Sequence, residues 1–336
     1  MRTIVCSKPG QLSYEEKKYP DSNQGCSIVR IKQIGICGTD LHAYNGVQPY
    51  FTYPRVLGHE LAAEYTDGDA KGFSNGDLIT ILPYKSCGNC FACRNGKTNC
   101  CSTLSVLGVH ADGGMCEFLS VPNELLVHAQ GLSFDQTALI EPLAIGAHAV
   151  TRANIDPTEN VLVIGAGPIG IGLLYFLSSI NCKVLVAETN PFRLNFCSST
   201  FPSIQCINPS VGDTIERLKD LTKGNMPSVI FDATGNLSSI HQSLSYLSHA
   251  GRYVLVGLQQ GDIHINHPEF HKREAMLMSS RNATHADFQS VIDAIRSGKM
   301  NPQKMITHRL PFEQLVEKFP TLYTEKDRLI KAMINC

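Results

Sequence analysis

The chain has 336 residues, 43% hydrophobic and 18% charged, a globular composition that excludes a disordered chain, a collagen and a coiled coil. Twenty-nine Lys and Arg against 30 Asp and Glu give a net charge of −1, so no basic field attracts nucleic acid or anionic lipid. The length suits two domains of roughly 150 residues. In chain order, residues 1–12 lack a long apolar segment and a small-residue cleavage site, which predicts a cytoplasmic protein. In a reducing compartment, 13 cysteines, an odd number, point to metal binding rather than pairing.

From residue 1 to 145 short β-like runs, among them 27–32, 77–82 and 115–121, alternate with Gly, Pro and Asn. Among these runs stand Gly35-Ile-Cys37-Gly-Thr39-Asp40-Leu-His42, Gly58-His59-Glu60 and Glu141-Pro142. Together they offer a thiolate, an imidazole and two carboxylates, a mixed set suited to a catalytic zinc with an exchangeable position. Asp40 is expected to hold the His59 ring in its metal-binding tautomer. Cys87, Cys90, Cys93 and Cys101 lie within fifteen residues, in a loop carrying Gly88 and Gly96. Four thiolates can close a tetrahedral shell with no place for substrate, as in a structural zinc site; Cys100 competes for the fourth position.

Near Asp156 the pattern changes. The apolar run 161–164 reads as a strand buried on both faces of a parallel sheet. Gly165-Ala-Gly167-Pro168-Ile169-Gly170 follows it and opens a helical stretch, and a second strand, 183–187, ends at Glu188. Strand, glycine-rich turn and helix form the context in which such glycines cradle a dinucleotide pyrophosphate at the helix N-terminus. Glu188 is placed to accept from the adenosine ribose hydroxyls, which favours NAD over NADP, with Arg193 flanking the adenine. The runs 229–231 and 253–256 end where ligand-facing loops leave such a sheet, placing Thr234 and Gly257 beside the cofactor. The most apolar stretch, 161–177, contains four glycines and a proline and is too short and broken to span a membrane. A helix is predicted over 284–297, where Asp287, Val291, Ala294 and Ile295 recur at helical spacing.

These motifs, in this order, resemble those of the zinc-dependent medium-chain dehydrogenases, in the branch containing sorbitol and threonine dehydrogenases. The resemblance implies an α/β chain: a GroES-like β-rich catalytic domain (1–145 and 271–336) around an inserted doubly wound Rossmann domain (146–270), with the active site in the cleft between them. It implies NAD as cofactor and two zinc ions per chain. Cys37 and His59 match the catalytic ligands, Glu60 a carboxylate that ligates the ion or stands just behind it, and Glu141 one that reaches it directly or through water. Thr39 and His42 match a proton relay, and the spacing selects Cys101 over Cys100 for the structural site.

The segments 48–55, 106–114, 268–272, 280–284 and 306–308 are similar to those of bacterial sugar-acid 5-dehydrogenases, the L-galactonate and L-gulonate oxidoreductases, and starvation-sensing oxidoreductases. The implied reaction is oxidation of the C5 hydroxyl of a hexonate to a keto-sugar acid; a sorbitol-type polyol or threonine dehydrogenase is the alternative. A sugar-acid carboxylate needs cationic or donor groups. Arg281, Asn282 and His110 are the candidates, Arg281 also lying near the nicotinamide, while Arg55 and Lys272 read better as surface side chains. A homodimer or homotetramer is expected, through an edge strand near 263–266. Two other readings are disfavoured: a metal-free quinone reductase would lack both cysteine sites, and a zinc-ribbon nucleic-acid binder would need a basic face.

Overall fold

The computed structural model describes residues 1–336. Two compact units emerge, one made of 1–144 and 283–336 and one of 145–282.

The first unit is built on a seven-stranded sheet whose longest strand, Cys26–Ile36, has eleven residues. That length lets it pair along different stretches with Glu60–Gly68, Phe118–Pro122 and, from the far end of the chain, Lys331–Asn335, all antiparallel. The register sets Gly35 opposite both Glu60 and Met333, and Ile36 opposite Ala332. Period-two alternation then carries Glu60 and Lys331 to the end of the strand that runs into Cys37. Beneath lies a core including Ile4, Ile31, Ile34, Leu57, Leu61, Ile79, Phe312 and Phe319. The run 115–121 becomes strand only from Phe118, because Cys116 makes an isolated bridge to Thr3. The helix expected over 284–297 is His285–Arg296; Thr284 caps it, and Phe288, Val291, Ile292 and Ile295 are its buried stripe.

The second unit is a six-stranded parallel sheet. Numbered within the unit, its strands run 3-2-1-4-5-6, the doubly wound order in which ligands bind beyond the strand C-termini at the point of reversal. Asn160–Ile164 is the central first strand, followed by the helix Pro168–Leu177. The inserted unit extends to 282 rather than 270, because Met276–Ser279 adds a sixth parallel strand beside Arg252–Leu255. The expected edge strand at 263–266 is not formed: that stretch is irregular, and Met276–Ser279 is the edge. No helix is long and apolar enough to cross a membrane.

Candidate metal and nucleotide sites

Cys37 follows the long strand and caps the helix Gly38–Tyr44. Its N–H donates to Asp40 Oδ2 at 2.8 Å, and the Gly58 N–H donates to Asp40 Oδ1 at 3.2 Å. One fully buried carboxylate thus ties together the two segments that carry Cys37 and His59. The expected Asp40–His59 hydrogen bond is absent: His59 Nδ1 stands 4.0 Å away and has no hydrogen-bond partner. Asp40 therefore hydrogen-bonds the backbone of the site and acts on the imidazole only through its charge.

Ligand atoms of Cys37, His59 and Glu60 lie within 4.8 Å of one another. His59 is only 5% exposed. Burial disfavours charge on its ring, but Cys37, then Asp40 and Glu141, outweigh burial and push its pKa well above the ordinary imidazole range. A buried imidazole with an orphaned nitrogen, in a negative field beside a thiol and carboxylates, is a donor set that fits zinc.

Glu141 lies outside that three-residue cluster. Buried near the start of the helix Ile140–Ala153, it accepts a hydrogen bond from the Tyr84 hydroxyl. Burial and the Glu141 charge raise the Tyr84 pKa well above its ordinary value and keep it the donor. Glu60 is also engaged: Lys331 Nζ contacts both its oxygens at 2.6 and 2.7 Å, and donates to the Ile36 carbonyl at 3.2 Å. Burial would discharge Lys331, but Glu60 and Cys37 outweigh it and hold the lysine charged. Gly35 makes room for the pair, since a Cβ there would stand 2.0 Å from Glu60 Oε2. Sequence reasoning missed Lys331 and Tyr84. Lys331 had a signal, a lone charge in the apolar run Ile330-Lys-Ala-Met-Ile334; Tyr84 had none. Thr39 is half-buried and His42 exposed, one turn apart on the helix that Cys37 caps.

The four-cysteine loop folds as a knuckle. Gly88 and Gly96 take positive φ of 74° and 72°, and the Cys90 and Cys87 N–H groups donate to Cys87 Sγ at 3.4 Å and Cys101 Sγ at 3.2 Å. All four sulfurs lie within 4.8 Å, and Cys100 points outside the cluster as an exposed thiol. Hydrogen bonds from Cys93 and Ser102 lower the Cys90 pKa while the neighbouring Cys93 thiol is pushed up, and the four sulfur donors present fit a closed zinc shell.

In the second unit Gly165 has φ +89°, and a Cβ on Gly170 would stand 1.9 Å from the Gly165 carbonyl oxygen, so the turn accepts only glycine at both. Gly167 caps the helix Pro168–Leu177 without a side-chain bond; a Cβ there would meet only the Arg193 guanidinium, at 3.9 Å. Open space over a helix N-terminus fits a pyrophosphate, with Pro168 and Ile169 as the first helical residues. Glu188 accepts from the Ala166 N–H at 2.7 Å and the Asn190 N–H at 2.8 Å, and Arg193 lies 4.0 Å from it. Thr234 stands against Gly165, and Gly257 against Gly235. Arg281 is exposed and Asn282 takes φ +52° just past the sixth strand; His110, exposed in the first unit, accepts from the Val106 N–H at 3.2 Å. Arg55 pairs with Asp112 at 3.4 Å and Lys272 with Glu269 at 2.8 Å, each already balanced by a carboxylate.

Residues 23–131 match the family model described as "Alcohol dehydrogenase GroES-like domain", and residues 168–297 match "Zinc-binding dehydrogenase". The sequence is 40% identical over 338 residues to the L-galactonate-5-dehydrogenase of Escherichia coli K12, covering 100% of this chain and 99% of that one. It is 34% identical to the Starvation-sensing protein RspB of the same organism, over 100% and 99%. Among solved structures, an alcohol dehydrogenase (rspB) from E. coli CFT073 complexed with NADH superposes with a TM-score of 0.92 at 32% identity, covering 100% of this chain and 99% of that one.

Proposed function

Because the chain belongs to the zinc-binding alcohol dehydrogenase family, we propose that it oxidises the C5 hydroxyl of a hexonate, L-galactonate or L-gulonate, to a keto-sugar acid with NAD. The observation that carries the reading is the Cys37–His59–Glu60 cluster, half-buried at the thiol and buried at the other two, whose donor set suits a catalytic zinc. Zinc in such a site supplies the Lewis acidity that makes an alcohol acidic, and NAD accepts the hydride.

The protein's own groups do the rest. Asp40 fixes the backbone of both ligand-bearing segments. Lys331 neutralises Glu60, and the Tyr84 hydroxyl holds Glu141 by donating to its Oε1. Thr39 takes the substrate proton, and His42, one turn on and open to solvent, passes it out. Gly165, Gly167 and Gly170 with the helix after them hold the pyrophosphate. Glu188 accepts from the adenosine ribose and sets the preference for NAD, while Arg193 flanks the adenine. Arg281, Asn282 and His110 serve the substrate carboxylate. The Cys87, Cys90, Cys93 and Cys101 shell holds a second, structural zinc. A homo-oligomer is supported by the open edge Met276–Ser279, where Met276 is 53% and Leu277 38% exposed.

Hexonate use is favoured by the 40% identity to L-galactonate-5-dehydrogenase. The test is a panel of L-galactonate, L-gulonate, sorbitol and threonine with NAD. The hexonates should give the highest kcat/KM; a neutral polyol oxidised better than any hexonate would overturn the sugar-acid assignment.

A further inference from the structure

Asp232 ends the fourth strand of the parallel sheet, Val229–Asp232, and none of its surface is exposed. A carboxylate so placed is costly unless donors surround it. Four groups do: its Oδ1 accepts from the Thr234 N–H at 3.0 Å and the Thr234 hydroxyl at 2.8 Å, its Oδ2 faces the Tyr253 hydroxyl at 3.3 Å, and the Gly235 N–H also donates to it. Behind it the Tyr253 hydroxyl meets Ser243 Oγ at 2.7 Å, which tethers the cluster to the helix Leu237–Ser243.

What this carboxylate holds is the turn Thr234–Gly235, wedged between two other strand-end turns with no slack. A Cβ on Gly165 would come within 2.9 Å of Thr234 Cγ2, and one on Gly257 within 2.3 Å of the Gly235 nitrogen. The Asp232 carbonyl also accepts from the Val256 and Gly257 N–H groups, both at 2.9 Å. Three turns at the C-terminal edge of the sheet thus interlock, and the middle one is pinned by one buried side chain. Displacing it would free the Thr234 methyl to move onto the Gly165 turn, whose backbone sets the helix N-terminus offered to a pyrophosphate.

We infer that Asp232 is a positioning residue for nucleotide binding, fixing through Thr234 and Gly235 the shape of the glycine turn at Gly165. This rests on the NAD assignment made above. The test uses the full-length, metal-loaded protein and its Asp232→Asn, Asp232→Ala and Tyr253→Phe variants. NADH affinity is read by fluorescence titration, and kcat and the KM for NAD on L-galactonate are read alongside.

Asp232→Ala should weaken NADH binding at least about tenfold, with kcat at saturating NAD changed by less than about threefold. Asp232→Asn, which keeps an acceptor for Thr234, should recover most of the affinity. Tyr253→Phe, a mild change that keeps the ring in the core, should shift the KM for NAD in the same direction by a few-fold. Tyr253→Phe carries the test if Asp232→Ala does not fold. A merely structural aspartate would lower melting temperature or kcat while leaving the KM for NAD untouched, and that result overturns the inference. Equal NADH affinity across wild type and folded variants overturns the inference alone; wild-type protein that binds no NADH overturns the cofactor assignment as well.

Discussion

At the scale of single residues, the metal cluster is governed by a buried pair, Lys331 and the expected ligand Glu60. Lys331 and Glu60 are each about 1% exposed, and both oxygens of Glu60 face one ammonium. Removing one partner of such a pair strands a buried charge, at a cost of about 3–5 kcal/mol. Lys331→Met in the metal-stripped protein should therefore lower stability by about that much in chemical denaturation, and Lys331→Met combined with Glu60→Gln should recover a large part. An unchanged denaturation midpoint would show the pair is dispensable. Cys37→Ser tests the ligand itself. Loss of an outer-shell partner typically costs 10–100-fold, and loss of this thiolate should lower kcat by more than about a hundredfold. NADH affinity should remain at the wild-type level, because Gly165, Gly167 and Gly170 belong to another unit. Retained turnover would contradict the role of Cys37.

At the scale of elements, the best-read segments were those in which local chemistry and tertiary demand agree. The apolar run at 161–164, the glycine turn and the helix after it are where the sequence places them, because a strand buried on both faces leaves a continuous apolar signature. The four-cysteine knuckle is legible for the same reason: all its donors lie in one loop. The Lys331–Glu60 pair was not, because it depends on the C-terminal strand settling beside Cys26–Ile36, a register between residues some 300 positions apart that no local pattern records. The strand before Arg281, Met276–Ser279, was not assigned to the parallel sheet because it is short and largely exposed, without the two-sided apolar signature of the central strands.

One inter-element tie makes a pH-dependent prediction. Arg309, on the strand Ile306–Pro311, grips Asp135 on the helix Phe134–Ala138, and that hydrogen-bonded cation holds the Asp135 pKa below its ordinary value. A depressed folded-state pKa means the contribution is fully present above the unfolded value, about 3.9, and is lost as pH falls through the folded one. Asp135→Asn should thus lower stability at neutral pH, by no more than about 1 kcal/mol for so open a pair, and the difference from wild type should close as the pH falls through the lowered folded-state value. A gap that persists into acid would mean the carboxylate's charge is not what matters.

At the scale of the whole molecule, the candidate metal donors and the candidate nucleotide turn fall in different units. The first gathers both metal donor sets, one at the end of the long strand of its mixed sheet and one in a separate loop, using residues from both ends of the chain; the second presents a nucleotide turn at the reversal point of a parallel sheet. The order of these parts along the sequence was readable because the motifs are contiguous; where the inserted unit ends was not, because that boundary is set by strand pairing at 276–279. Turnover is proposed to depend on an ion at the Cys37–His59–Glu60 cluster. That dependence is tested most directly by stripping the metal and adding back zinc while following NADH formation from L-galactonate and counting bound zinc per chain. Activity should be absent in the stripped protein, return with zinc, and reach its maximum at two ions per chain, with NADH binding present throughout; turnover that survives complete removal of the metal would contradict it.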